Sequence, residues 1–156
     1  MTDVYGTRLM PITGQFAVHI ASGVSMFAGV KWVRSDGRTI VVGAPIADER
    51  YATSLRSMSY RFGVLASARL ASRWSIAGGA GICVTSYEET WPDTALAVSG
   101  RSTGFVVLGE GLYLVKGNWS AFVRTEYTTV PAKTTVAKID VNVGGVDVSG
   151  GLRFSF

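Results

Sequence analysis

Eight charged residues stand where they could meet one another: Lys31, Arg61, Arg69, Glu110, Arg124, Glu126, Asp147 and Arg153. Each lies in a stretch where apolar and polar residues alternate, and each falls on the polar side of that alternation. A period of two is the signature of a β-strand with one greasy and one polar face. Charges gathered on the inner face of a curled sheet can do one of two things. They can pair into a salt-bridge and hydrogen-bond plug, or they can line a narrow gated pore. An unpaired charge held away from water costs several kcal/mol, so pairing is the expectation. Glu110, Arg124, Glu126 and Arg153 fall on three consecutive segments and are expected at the centre of the network.

The remaining candidates for chemistry are thinner. His19 and Ser22 are the one combination that hints at nucleophilic catalysis. Residues three apart in a strand point to opposite faces, so the two do not pair locally and His19 reads as structural. Glu88, Glu89 and Asp93 form an acidic outer-loop cluster that could hold a divalent cation bridging lipopolysaccharide, but a solvated loop is the preferred reading. Gly78-Gly79-Ala80-Gly81 is not a phosphate loop: it lies inside a strand, and no Lys-Ser/Thr and no helix follow. Small residues there read as room for bulky neighbours or as a tight bend. Cys83 reads as a small buried residue. No catalytic residue, metal or cofactor is expected.

The elements that must position these residues are eight strand-like segments, at about 13–22, 24–34, 38–46, 54–70, 73–87, 103–116, 119–130 and 138–156. The clearest is the fourth, where Met58, Tyr60, Phe62 and Val64 alternate with Ser57, Ser59, Arg61 and Gly63. Ser35-Asp36-Gly37-Arg38 carries the strongest short hairpin signal, because a type I′ turn needs positive φ at both central residues. With Gly23, Ala71-Ser72 and Gly117-Asn118 it makes the tight turns, while 47–53, 88–102 and 131–137 read as longer loops. The alternation slips by one at Gly144-Gly145, which reads as a β-bulge in one long final strand. Trp32, Trp74 and Trp119 each lie close to a proposed tight turn, so they are expected at one height as an aromatic girdle, with Phe154 and Phe156. A rival count starts the first strand at residues 4–10 and makes 38–53 an excursion. It would put Trp32 at the opposite rim.

Composition bounds the class. The chain has 156 residues, fits one domain, and is 47% hydrophobic but only 17% charged. No run of 18 apolar residues exists, so no transmembrane helix is expected. Apolar content spread in alternation is what a strand-built barrel in lipid requires. The net charge of +4 comes from dispersed residues with no Lys/Arg-rich run, which argues against nucleic acid. One Cys rules out an internal disulfide, and one His makes a His-based metal site improbable.

The segments Gly109-Glu110-Gly111-Leu112-Tyr113-Leu114-Val115-Lys116-Gly117-Asn118-Trp119-Ser120, Arg124-Thr125-Glu126-Tyr127 and Gly150-Gly151-Leu152-Arg153-Phe154-Ser155-Phe156 resemble the last hairpins and closing strand of small OmpA/OmpX-type bacterial outer-membrane β-barrels, the opacity-porin-like family. The resemblance covers residues 54–156. It implies an all-β, eight-stranded antiparallel up-and-down transmembrane β-barrel, a single domain over 1–156 with 1–12 as a periplasmic tail, and Phe156 as part of an assembly signal. It implies a non-enzymatic protein in the bacterial outer membrane, with a signal peptide already removed. The implied partners are outer-membrane lipids, lipopolysaccharide, the barrel assembly machinery and a protein bound through the outer loops. The alternatives are a narrow channel, a barrel subunit of a larger envelope complex, a lipid-modifying enzyme, and a soluble lipocalin-like barrel. The last would bury the aromatic set and turn the arginines outward.

Overall fold

The computed structural model describes residues 11–40, 50–92, 96–133, 140–142 and 144–155. The strands in chain order are β1 (Ile12–Ala21), β2 (Val24–Ile40), β3 (Arg50–Arg69), β4 (Trp74–Trp91), β5 (Leu96–Lys116), β6 (Trp119–Thr129), β7 (Pro131–Lys133), β8 (Asp140–Asn142) and β9 (Gly145–Phe154). Seven of them form one antiparallel up-and-down sheet in the order β1-β2-β3-β4-β5-β6-β9, curled into a half-barrel, while β7 and β8 pair separately. Strands β1 to β6 are neighbours in chain order, and β9 takes its place beside β6 after the separate β7–β8 pair. The connections at one end are short, with Gly23 (φ 71°) and Gly117 (φ 56°) in the left-handed region that L side chains resist. That end is called the turn end below.

The period-two reading of the faces holds along the sheet. On the concave side Phe27, Leu65, Val106 and Leu108 cluster with almost no exposure. On the convex side Phe16, Met26, Trp32, Phe62, Ile82 and Val107 stand exposed. Between β3 and β4, Gly63 lies opposite Gly81. A Cβ on Gly63 would come within 2.6 Å of the Phe27 ring, and one on Gly81 would strike the Phe62 carbonyl. The glycines in this part of the sequence are therefore the space that Phe27 and the bend occupy.

Several expected boundaries differ. Asp36-Gly37 makes no turn: the 17 residues of β2 run straight through it, with Asp36 opposite Ser54 and Gly37 opposite Thr53. A local turn preference is outweighed by an unbroken ladder with β3. The expected third strand at 38–46 accordingly splits: residues 38–40 end β2 and 41–46 lie outside the described residues. The expected loop at 88–102 is mostly strand, because β4 continues to Trp91 and β5 begins at Leu96. Likewise residues 50–53 belong to β3 and 131–133 to β7. The final segment is not one bulged strand. Asp140–Asn142 pairs with β7, and the chain joins the main sheet only from Gly145.

With seven strands, β1 and β9 run in the same direction, and each has one partner in the sheet among the described residues. A cleft of about 440 Å³ lies between them, bounded by residues 15–19 of β1, Ser25 of β2, Arg153 and Phe154 of β9, and Ser155. The rival first strand at 4–10 and the expected tail at 1–12, apart from Pro11 and Ile12, lie outside the described residues. So do Phe156 and Asp93.

The glycine argument is testable by contrast. Gly81→Val is expected to lose most of the folded population, because the clash is with backbone that cannot step aside. Gly109→Ala, on the convex face with nothing within 4 Å, should change stability by no more than about 1 kcal/mol, in the stabilising direction. Denaturant unfolding followed by circular dichroism reads both.

Candidate functional site

The concave face carries two ion clusters, one joining strands that are far apart in the sheet and one on the three neighbouring strands β5, β6 and β9. In the first, Glu126 on β6 accepts from Arg61 on β3 and lies 3.6 Å from Lys31 on β2, which also pairs with Asp147 on β9. In the second, Glu110 on β5 accepts from Nε of Arg124 on β6 at 2.5 Å and from Nη2 of Arg153 on β9 at 2.5 Å. Strand parity puts every one of these side chains inward, and the register makes Glu110 and Arg124 direct cross-strand partners. Lys31 to Asp147 and Arg61 to Glu126 are contacts that only a curled sheet can make.

Burial decides what these pairs mean. Arg61, Glu110, Arg124 and Glu126 are each under 5% exposed. Their attraction acts in a medium less polarisable than water, so partners left single would be costly. The Arg124 guanidinium carbon also sits 5.3 Å from the Phe122 ring centre and that of Arg153 sits 5.9 Å away. Gly151, opposite Phe122 in the ladder, leaves room for that ring. The first cluster is electrically balanced, with two cations and two carboxylates. The second has two arginines on one carboxylate, and the aromatic face takes up part of the excess. Nε and Nη2 of Arg61, and both polar atoms of the Gln15 side chain, are shielded from solvent and make no hydrogen bond among the described residues.

Of the eight charged residues singled out, the structure brings seven together. Arg69 stays apart, exposed at the turn end. Phe122 and Gln15 join the site without having been singled out. Their signal was present as an inward-parity aromatic facing a glycine and an inward-parity amide, but only the register pairs Phe122 with Gly151. Two buried hydroxyls, Thr85 donating to Ser59 at 2.9 Å, line the same face, as does the buried Cys83.

The other candidates do not assemble. Nδ1 of His19 lies 3.3 Å from the Ser25 hydroxyl, its cross-strand neighbour, rather than near Ser22. Glu88 and Glu89 alternate across the sheet, with Glu89 accepting from Thr53 at 3.1 Å on the concave side, so they form no joint cluster. Among the described residues no group of three His, Cys, Asp or Glu could hold a metal ion.

The aromatic girdle is split between two heights. Trp74 packs at a tilt against Tyr113 with ring centres 4.9 Å apart, and Trp119 against Phe154 at 5.1 Å, all at the turn end. Trp32 is eight residues beyond Val24, roughly 27 Å further along its strand. The expectation of three tryptophans at one height fails because it placed a turn at Asp36-Gly37.

Comparison with protein-family models, with curated proteins and with solved structures gave no match.

Glu110→Gln is expected to destabilise the fold by about 3–5 kcal/mol, since it leaves two arginines facing each other without a counter-charge. Replacing both members of a pair, Glu110→Leu with Arg124→Met, should cost less than the sum of the single changes. A double-mutant cycle on denaturant midpoints measures the difference.

Proposed function

We propose that the chain is a small, non-enzymatic bacterial outer-membrane barrel of the OmpA/OmpX type, closed by an eighth strand, with an ion-paired interior and a sheet extension that presents edges to a partner. One observation carries this reading: the polarity of the two faces is inverted relative to a soluble barrel. Ion pairs fill the concave side and apolar side chains cover the convex side. A lipocalin-like barrel would need the reverse.

The convex apolar surface also has limits of the right kind. Between the level of Trp32 and Met58 and the level of Trp74, Trp119 and Phe154, no outward-facing described residue carries a charge. At the level of Trp32 the outward position on β5 is Arg101, and at the next outward level stand Arg34, Arg56 and Glu88. From Met58 to Ala66 the band spans roughly 27 Å along the strand, or about 20 Å once tilted as barrel strands are. A transmembrane barrel needs an apolar band of about that height, rimmed by aromatics on both sides. Antiparallel closure needs one more strand between β1 and β9. Residues 4–10, where Tyr5, Thr7 and Leu9 alternate with Gly6 and Arg8, supply a sequence of that pattern.

Among the described residues of the main sheet, β2, β3, β4 and β5 continue above the band. Residues 33–40 of β2 lack a β1 partner, since that pairing ends at Ile12 opposite Trp32. An exposed strand edge is a template for another chain, and this supports partner binding through the outer end.

Refolding into detergent micelles followed by gels with and without boiling tests the membrane reading. The expected result is a band that shifts only on boiling. A chain that stays folded and monomeric with no detergent would overturn it and favour the soluble barrel. Val107→Arg in the middle of the band should cost about 2–4 kcal/mol in lipid. Ser99→Arg, outward on the extension, should be near neutral in the same unfolding assay.

A further inference from the structure

The two ends of the sheet differ in charge. Among the described residues, Asp36, Glu88 and Glu89 lie in the extension and Glu110, Glu126 and Asp147 lie inside, while Asp140 belongs to the β7–β8 pair. The turn end therefore carries no described carboxylate on its rim. It does carry three exposed cations: Arg69, Arg73 and Lys116. None of the three makes an ion pair among the described residues.

Two of these cations sit beside a built aromatic surface. Nη1 of Arg73 donates to the Tyr113 hydroxyl at 3.4 Å, and the Tyr113 ring lies 4.9 Å from that of Trp74. The turn holding Arg73 is tied down on both sides: the Leu70 N–H bonds the Trp74 carbonyl at 2.9 Å, and the Leu114 N–H bonds the Arg73 carbonyl at 2.8 Å. That second bond brings the end of β5 alongside, and Lys116, two residues beyond Leu114, pairs in register with Trp119. Arg73 and Lys116 thus flank Trp74, Tyr113 and Trp119 where the apolar band ends.

We propose that Arg73 and Lys116, set on this aromatic rim, bind the phosphate of an anionic phospholipid headgroup in the leaflet at the turn end. The chemistry of each part fits. The flat rings of Trp and Tyr lie at headgroup depth. A guanidinium gives a phosphate two parallel donors, and an ammonium adds a mobile point charge. No described acid on the rim offsets the attraction. The inference rests on the membrane reading above.

The test uses the full chain in vesicles that mix phosphatidylcholine with phosphatidylglycerol. Tryptophan quenching is compared when one lipid or the other carries brominated acyl chains. The wild type should be quenched preferentially by brominated phosphatidylglycerol. Each cation removed should lower that preference roughly five-fold, so R73A/K116A should abolish it. Arg73→Lys should retain most of it. R34A/R56A, which removes the same charge from the other end, should leave it unchanged. An undiminished preference in R73A/K116A, or an equal loss in R34A/R56A, would overturn the site in favour of a general net-charge effect. Displacement by inorganic phosphate at matched ionic strength would overturn the lipid as ligand. Heat-modifiable folding in pure phosphatidylcholine vesicles is read separately. If that fails, the membrane reading fails and this site with it; if it succeeds, a negative lipid result counts against the site alone.

Discussion

Each of two carboxylates, Glu110 and Glu126, has two cations brought to it from different strands, and the shape of the sheet depends on that convergence. A sheet that stayed flat would keep Arg61 on β3 away from Glu126 on β6, and Lys31 on β2 away from Asp147 on β9. The curl brings them together, and the pairing in turn makes the curl tolerable, because Arg61 and Glu126 could not otherwise be under 5% exposed. The glycines of β3 and β4 are the steric side of the same bargain. Without side chains at Gly63 and Gly81 the backbones bend closely enough to seat Phe27 beneath the charges.

Parity was legible in the sequence and length was not. Alternation at Met58-to-Val64, Trp119-to-Tyr127 and Val146-to-Phe154 assigns each residue to a face, and a strand has only two faces to choose from. That is why seven of the eight selected charges meet inside, while Arg69, of the same parity, does not. Arg69 lies at the last residue of β3, where the interior ends. Parity carries no information about height along the strand. Heights are set by where strands stop, and stopping points depend on cross-strand partners that a single segment does not reveal.

Asp36-Gly37 shows how that gap produces an error. The dipeptide favours a tight turn, and its neighbours Ser35 and Arg38 are polar enough to agree. In the fold the stretch instead continues as strand, because β3 offers a partner for every residue from Val24 to Ile40. The misplaced turn then carried Trp32 to the wrong end. Corrected, Trp32 is more informative than before. It marks the second edge of the apolar surface, opposite the Trp74–Tyr113 and Trp119–Phe154 pairs.

The same correction separates two regions that a shorter β2 would have merged. Below Trp32 the convex face is apolar and the concave face charged, an arrangement unstable in water on the outside and costly on the inside unless paired. Above Trp32 the convex face turns polar, with Arg34 and Arg56 directly opposite one another, while the concave face holds buried Leu55 beside Thr53 bonded to Glu89. A sheet designed for water throughout has no reason to change character at one level on neighbouring strands. A sheet that passes from hydrocarbon into water must change there, since solvent, not the fold, dictates which side chains its surface can carry. The extension keeps its strand pairing after the change, and among the described residues its order derives from β2–β5 pairing with β7 beside β5. Residues 33–40 of β2 are paired on one side only among the described residues, which makes them the stretch of the sheet least held by its neighbours.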